Sequence, residues 1–97
     1  MQAFWVYIIQ CSDDSYYIGH TDNLEKRIAE HNSGLIQGYT YNRRPVKLAW
    51  AQEFATRDEA FAQERHIKGW SRAKKEALIQ NDWETIKKLA RNRSAAH

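Results

Sequence analysis

The chain has 97 residues, of which 42% are apolar and 28% are charged, and these proportions are typical of one globular domain. No apolar run approaches the about 20 residues that a membrane-spanning helix needs, and the first residues lack the basic-then-apolar order of a secretory signal. We therefore expect a cytoplasmic protein that makes no contact with a membrane. The lone cysteine, Cys11, excludes an internal disulfide and a cysteine-rich zinc site.

The charge is unevenly distributed along the chain. With histidine neutral, residues 1–40 carry a net charge of −3 and the remaining residues carry +6. A basic second half favours a polyanionic partner, because lysine and arginine neutralise the phosphates of nucleic acids. A solvated basic surface explains the charge equally well at this point.

Residues 4–10 and 16–18 predict the two strands of a β-hairpin. Both segments are rich in β-branched and aromatic side chains, and the first is too short for a helix. The Asp-Asp-Ser sequence at 13–15 is typical of a turn, and Gly19 ends the second strand. We expect the two strands to be antiparallel.

A helix is predicted over about 22–33. Asp22 and Glu25, three residues apart, resemble an N-terminal capping pair, and Gly34 is a natural C-terminal stop. One face of this helix carries Leu24, Ile28 and His31, with Arg27 beside it.

Residues 35–45 show no sustained period and predict a loop that carries arginines and aromatic rings. A third strand is predicted over 46–53. Its alternation places Val46, Leu48 and Trp50 on one buried face.

Three helices follow, and each begins with a capping side chain. They are a helix over about 57–68 with a capping box from Thr56 to Glu59, one over about 72–80 capped by Ser71, and a last one capped by Asp82. The order β-β-α-β-α-α-α predicts an α+β domain with a small three-stranded antiparallel sheet flanked by helices. We expect one domain over 1–91 and a frayed, disordered tail over 92–97.

Glu64 interrupts the apolar stripe of the 57–68 helix. Ala60 and Ile67 lie on the same stripe, with Phe61 adjacent. A carboxylate in this position is paired, bound to a cation or at the margin of the stripe, because bare burial is costly. The pattern alone leaves both a structural salt bridge and a functional role open.

A characteristic set of residues recurs along most of the chain, and it consists of Tyr7, Tyr17, Gly19, Thr21, Leu24, Arg27, His31, Gly34 and Glu64. This constellation resembles the GIY-YIG nuclease superfamily. The second name motif, Tyr-Ile-Gly, is intact at 17–19, whereas Trp-Val-Tyr stands at 5–7 where the family name has Gly-Ile-Tyr.

Within this superfamily, the chain is similar to the small stand-alone bacterial members of the UPF0213-like group. The similarity rests on the short chain and on three segments, at 39–40, 43–45 and 64–70. Those members are described only as predicted endonucleases. The resemblance therefore implies a fold and a chemistry better than it implies a substrate.

The resemblance implies a metal-dependent endonuclease that hydrolyses phosphodiester bonds in DNA, with RNA as an open alternative. Glu64 would hold a single Mg²⁺ or Mn²⁺, since Mg²⁺ often takes only one or two protein carboxylates. Arg27 would bind phosphate oxygens, and its structural alternative is an exposed pair with Glu30 or Asp22. Tyr7 would act as general base while Tyr17 orients water or phosphate, or the two roles are exchanged.

Two histidines complete the expected catalytic set. His20 directly follows Gly19, where DNA-repair members of the superfamily often carry lysine, and it could relay a proton or lie in solvent. His31 matches the family pattern, and a structural hydrogen bond is as reasonable for it as catalysis. Asn81 is left out of the site, because a helix C-cap explains it equally well.

The expected nucleic-acid surface consists of Arg43, Arg44, Lys68, Arg72, Lys74 and Lys75. Tyr39, Tyr41 and Trp70 are available to stack on unpaired bases. The chain has no base-reading motif, so we expect any selectivity to be for DNA structure. The alternative function is a nucleic-acid-binding module of the same fold that cleaves little unless a protein partner is present, because 97 residues leave no separate DNA-recognition domain.

Overall fold

A β-branched and aromatic segment forms the central strand of a three-stranded antiparallel sheet. The structure is a computed structural model that describes the backbone of residues 3–95 and the side chains of residues 3–89. The elements are β1 (Phe4–Gln10), β2 (Tyr16–Thr21), α1 (Leu24–Ser33), a 3₁₀ turn (Tyr41–Arg43), β3 (Lys47–Phe54), α2 (Arg57–Lys68), α3 (Arg72–Ile79) and α4 (Trp83–Ala95). The predicted element order and the α+β fold class are confirmed.

β1 lies between the other two strands, in the order β2-β1-β3. Its residues 6–9 are all buried, as expected for a strand that is covered on both faces. β2 and β3 are consequently the two edges of the sheet.

Alternation along β1 divides the core into two layers. Val6 and Ile8 pack on one face with residues of α2, α3 and α4, including Ile67 and Leu78. On the other face lies a smaller cluster formed by Tyr7, Ile9, Cys11 and Val46, with Leu24 and Ile28 of α1 packed against it. The sheet therefore lies between α1 and the three C-terminal helices.

α1 begins one residue later than a cap at Asp22 would require. The side chain of Asn23 accepts the N–H of Lys26 at 3.1 Å, so Asn23 is the N-cap and the predicted Asp22 cap is wrong. The reason is that β2 continues to Thr21, whose Oγ1 accepts the N–H of Asn23 at 3.1 Å. Gly34 ends the helix with a φ of 82°, which confirms the predicted stop.

The prediction that Val46, Leu48 and Trp50 share one buried face of the third strand is wrong at Leu48, which is 45% exposed. Ile8 pairs with Trp50 and Ile9 pairs with Leu48, so Ala49 is an extra residue in β3 and forms a bulge. The bulge breaks the period of two. Trp50 packs with the α2–α4 core, whereas Leu48 lies opposite Ile9 on the α1 side.

The three predicted C-terminal helices are confirmed with their caps, since Thr56, Ser71 and Asp82 accept the N–H groups of Glu59, Lys74 and Thr85. α4 is described as far as Ala95, which includes part of the 92–97 segment that we expected to fray. Positions 96 and 97 lie outside the described residues, and the domain boundary stays a prediction. Within the described part of the chain, no helix is both long and apolar enough to cross a membrane.

Candidate active site

The two motif tyrosines lie together on the α1 side of the sheet. Tyr7 of β1 and Tyr17 of β2 have ring centroids 6.5 Å apart. The ring of His31, on α1, contacts both, with centroid distances of 5.9 Å to Tyr7 and 5.4 Å to Tyr17. The hairpin and α1 thus bring together three of the residues named by the sequence pattern.

Gly19 allows Tyr7 to occupy its position. The two residues are partners across the β1–β2 pair. A Cβ atom on Gly19 would overlap the Tyr7 hydroxyl and would lie 2.6 Å from the ring carbon that bears it. Glycine is therefore required here by the close approach of a side chain and not by a positive φ.

A buried hydrogen-bond chain runs from Tyr7 through His31 to Thr40. The Tyr7 hydroxyl lies 3.0 Å from His31 Nε2, and His31 Nδ1 lies 2.8 Å from Thr40 Oγ1. Each of the three residues is only 2% exposed. Thr40 was missed in the sequence, where its only signal was its place in the 39–40 segment.

Burial keeps both members of the Tyr7–His31 pair uncharged at neutral pH. Burial raises the pKa of the Tyr7 phenol far above its ordinary value; Tyr17 adds to this rise, and the charge of Arg27 opposes it. Burial also lowers the pKa of His31 from its ordinary 6.5, and the positive charge of Arg27 lowers it further. A neutral phenol therefore faces a neutral imidazole.

A second cluster, on the α2 side of β2, surrounds Glu64. Its Oε1 lies 2.7 Å from His20 Nδ1, and its Oε2 lies 3.0 Å from Lys68 Nζ. Burial alone would raise the pKa of Glu64, but the hydrogen bonds from His20 and Lys68 outweigh it and hold this pKa below its usual value. Glu64 is therefore an ionised carboxylate in a buried position.

The two clusters lie on opposite faces of the same edge strand. Across the β1–β2 pair, His20 is the partner of Val6, which faces α2, whereas Gly19 is the partner of Tyr7, which faces α1. The charge of Glu64 nevertheless reaches Tyr7, since it contributes to the raised pKa of the phenol. The candidate site therefore includes both faces of β2, an edge strand of the sheet that the described residues form.

Arg27 lies on α1 beside the tyrosine–histidine cluster. Its guanidinium Nε is 4.0 Å from Glu30 Oε1, the limit of an ion pair, and its side chain is partly exposed. The expected structural pair with Glu30 is thus present but loose. Arg27 lies one turn before His31 on α1, and its positive charge acts to lower the pKa of both Tyr7 and His31.

A divalent cation at Glu64 fits the residues present, provided that water and phosphate supply most of its ligands. Among the described residues, no group of three or more His, Cys, Asp or Glu side chains could hold a metal ion by itself. Glu64 offers one ionised carboxylate, the kind of hard oxygen ligand that Mg²⁺ prefers. Its Oε2 faces the side chain of Lys68, which is 49% exposed.

The six expected nucleic-acid residues fall into two groups. In the first group, Lys68 pairs with Glu64, Arg72 pairs with Glu76 at 3.4 Å, and Lys74 lies over the Trp70 ring at 4.3 Å. Lys75 belongs to the same group and is partly buried on α3. Arg72 also lies 4.5 Å from the centre of the Tyr16 ring, which connects this group to β2.

The second group is formed by Arg43 and Arg44 at the end of the 3₁₀ turn. Arg43 pairs with Asp13 at 3.0 Å and lies 4.0 Å from the centre of the Tyr39 ring. Tyr39 in turn stacks against Tyr17 with a centroid distance of 6.1 Å. The two groups therefore approach the start of β2 from opposite faces of the sheet.

The alternative explanation for Asn81 agrees with the structure. Asn81 has a φ of 59° just after α3, and its side-chain oxygen accepts the indole N–H of Trp83 at 2.8 Å. Both features are those of a residue at a helix end.

Comparison with known proteins gives a consistent result. Residues 3–77 match the model of the GIY-YIG catalytic domain. A UPF0213 protein of Halobacterium salinarum is 48% identical over 74 residues, which are 76% of this chain and 96% of the relative. A UPF0213 protein of Bacillus pumilus is 45% identical over 78% of each chain. The relatives come from archaea as well as bacteria, so the group is wider than the bacterial one that we expected.

Two solved structures share the fold. A UPF0213 protein from Bacillus halodurans is 38% identical, with a TM-score of 0.53 and coverage of 80% of this chain and 83% of that one. A protein from E. faecalis is 36% identical, with a TM-score of 0.58 and coverage of 84% and 86%. The chain therefore belongs to the GIY-YIG nuclease family, and within it to the UPF0213 proteins.

Proposed function

We propose that this protein is a metal-dependent endonuclease that hydrolyses phosphodiester bonds in DNA. The observation that carries the proposal is the pairing of a buried proton-relay chain with a buried ionised carboxylate at one strand edge. Hydrolysis of a phosphodiester needs both functions, since water must lose a proton while charge on the phosphoryl group is stabilised.

In this proposal, Tyr7 accepts the proton of the attacking water. Its hydroxyl simultaneously passes its own proton to His31 Nε2, which lies 3.0 Å away. This relay avoids a free phenolate, which the raised pKa of Tyr7 disfavours, and forms instead a transient imidazolium on His31, which burial and the charge of Arg27 disfavour. The relay requires the tautomer with a proton on Nδ1, and Thr40 Oγ1 can accept that N–H at 2.8 Å.

Tyr17 would orient the water or the phosphate. It is less buried than Tyr7 and lies between His31 and the exposed ring of Tyr39. The exchanged assignment, with Tyr17 as the base, stays open in this proposal. Phe substitutions separate the two roles, because the base variant loses the chemical step while the orienting variant loses affinity as well.

Glu64 would hold the divalent cation, with His20 fixing the carboxylate through Oε1. When bound, the cation would supply positive charge to the phosphoryl oxygens and the leaving oxygen. Arg27 adds a permanent charge and a planar donor fork on the other face of the same edge.

DNA is the proposed substrate, and the two basic groups on either side of β2 would contact its phosphates. Because the sequence has no base-reading motif, the proposal includes selectivity for DNA structure, such as single strands, flaps or branches. The proposal further includes a cytoplasmic location and a role in DNA repair.

The experiment is cleavage of labelled single-stranded, duplex and branched DNA, and of a matching RNA, by the purified protein. Parallel reactions contain Mg²⁺, Mn²⁺ or EDTA. We expect cleavage with either cation and none in EDTA. Equal cleavage in EDTA would contradict a metal-dependent mechanism, and preferential cleavage of RNA would correct the substrate.

The second candidate is a nucleic-acid-binding module that does not cleave by itself. The observation that favours it is that both oxygens of Glu64 are already paired with His20 and Lys68. Binding of DNA without cleavage under every metal condition would support this alternative over the nuclease.

A further inference from the structure

Lys68 holds one oxygen of Glu64 in the free protein. The two residues are four positions apart on α2, and Nζ lies 3.0 Å from Oε2. His20 holds the other oxygen from β2. A metal ion that binds Glu64 must therefore displace or outcompete at least one of these two partners.

The two partners of Glu64 differ in how easily they leave. The side chain of His20 is 22% exposed, and its ring packs against Phe61 with a centroid distance of 5.5 Å. The side chain of Lys68 is 49% exposed and ends a flexible four-carbon stem. Ion pairs with an exposed partner contribute little to stability, so Lys68 is the partner that can leave.

A phosphate of the bound nucleic acid is the new partner that is available to the departing Lys68 ammonium. Its Nζ lies 3.0 Å from Glu64 Oε2, so it begins close to where a phosphate bound through a cation at Glu64 would lie. An ammonium and a divalent cation repel each other at one carboxylate oxygen, whereas an ammonium and a phosphate attract.

We propose that Lys68 is an exchangeable counter-ion of Glu64. In the free protein, its ammonium neutralises the buried carboxylate. In the complex with nucleic acid and a divalent cation, it leaves Glu64 and binds a substrate phosphate. This inference rests on the proposed function and adds a regulatory consequence to it: DNA and the cation promote each other's binding, because each favours the state in which Lys68 has left Glu64.

The first test measures Mn²⁺ binding to the free protein. Mn²⁺ is titrated while its paramagnetic broadening of the backbone amide signals around Glu64 is followed by NMR. We expect Lys68→Gln to bind Mn²⁺ about two- to fivefold more tightly than the unaltered protein, the range of a partly exposed ion pair. Lys47→Gln is the matched control, since it removes the same charge from β3 at the opposite edge of the sheet, and it should change the affinity less.

The second test measures DNA binding by fluorescence anisotropy at several salt concentrations in Ca²⁺, a divalent cation that also takes oxygen ligands, on a DNA that a gel confirms to be intact. Lys68→Gln should weaken binding and reduce the dependence of log affinity on log salt by about one unit, whereas Lys47→Gln should leave this slope unchanged. A merely structural lysine would not tighten metal binding and weaken DNA binding at once. The NMR spectra of both variants also report whether the fold is retained.

The outcomes separate this inference from the proposed function. If Glu64→Gln abolishes the Mn²⁺ signal but Lys68→Gln leaves the Mn²⁺ affinity unchanged, the exchange is wrong and the metal site stands. An unchanged salt slope in Lys68→Gln also overturns the exchange. If Glu64→Gln leaves the Mn²⁺ signal unchanged, both the metal site and the exchange fail.

Discussion

Gly19 shows how one missing side chain shapes the site. Replacing it with alanine would press a methyl group into the Tyr7 hydroxyl, so either the ring or β2 must move. We expect Gly19→Ala to cost about 1–3 kcal/mol of unfolding free energy and to lower cleavage, because overpacking displaces the relay tyrosine. Urea unfolding and a cleavage assay measure the two effects.

Gly69→Ala is the matched control for Gly19→Ala. A Cβ on Gly69 would lie 3.6 Å from its nearest neighbour, an ordinary contact, and its φ of −80° suits alanine. We expect stability within about 0.5 kcal/mol of the original. If Gly19→Ala and Gly69→Ala lose the same unfolding free energy, the close approach of Tyr7 to Gly19 does not explain the loss in Gly19→Ala.

Because His31 is buried, we expect the unfolding free energy of the protein to decrease in mild acid. Burial lowers its pKa in the folded state below 6.5, so below that pH the unfolded chain binds a proton that the folded chain does not. The contribution of neutral His31 is therefore complete above pH 6.5 and is lost as the pH falls. The slope approaches at most about 1.4 kcal/mol per pH unit.

Urea unfolding between pH 5 and pH 7.5 tests this dependence. His31→Gln should flatten the slope below pH 6.5, whereas the same change at His66, an exposed residue on α2, should leave it intact. A steep slope that persists in His31→Gln would assign the acid sensitivity to another group.

Several of these residue contacts could be anticipated and others could not. The predicted hairpin put Tyr7 and Tyr17 on neighbouring strands, and their rings do lie together. The partner of His31 could not be identified, because Thr40 reaches it from a loop without periodicity. The pattern around Glu64 left pairing and function open, and the structure shows the pairing.

At the scale of the elements, the start of α1 depends on where β2 ends. Asn23→Ala should cost about 1 kcal/mol, because the Asn23 side chain caps the helix. Asp22→Ala should cost less, since Asp22 takes part in a surface ion pair with Arg57 at 3.8 Å. Urea unfolding of the two variants decides between the caps, and a larger loss at Asp22 would restore the cap that the sequence predicted.

The two errors at the element scale have one common cause, which is that the extent and pairing of the strands are not recorded in the local sequence. Asp and Asn are equally good caps, so only the extension of β2 to Thr21 selects Asn23. Likewise, the bulge at Ala49 arises from pairing between β1 and β3, which no local pattern in β3 records. The capping residues of α2, α3 and α4 were identified correctly because capping is a local interaction.

For the whole molecule, the two basic groups predict a footprint on both sides of β2. Arg72→Gln combined with Lys74→Gln should reduce the salt dependence of DNA binding by roughly one unit for each phosphate that these side chains neutralise, and so should Arg43→Ala combined with Arg44→Ala. Fluorescence anisotropy in EDTA measures both slopes. A pair whose removal leaves the slope unchanged lies outside the footprint.

The fold of the whole molecule could be predicted, because its hairpin, helix caps and motif spacing are local signals that agree with one another. The arrangement of the site across the two faces of β2 was not anticipated. It follows from alternation, which directs Tyr17 and His20 to opposite faces, combined with the position of β2 at the edge of the sheet.

The most direct test of the proposed nuclease compares Glu64→Gln with the unaltered protein in two assays, DNA binding in EDTA and single-turnover cleavage in Mg²⁺. Glutamine keeps the size of the side chain and can still hydrogen-bond to His20, but it removes the charge that would hold a cation. We predict DNA affinity that is retained or a few-fold tighter, because the substitution releases Lys68, and cleavage reduced by at least about a hundredfold. Undiminished cleavage by Glu64→Gln, or parallel losses of binding and stability, would contradict a catalytic role for this carboxylate.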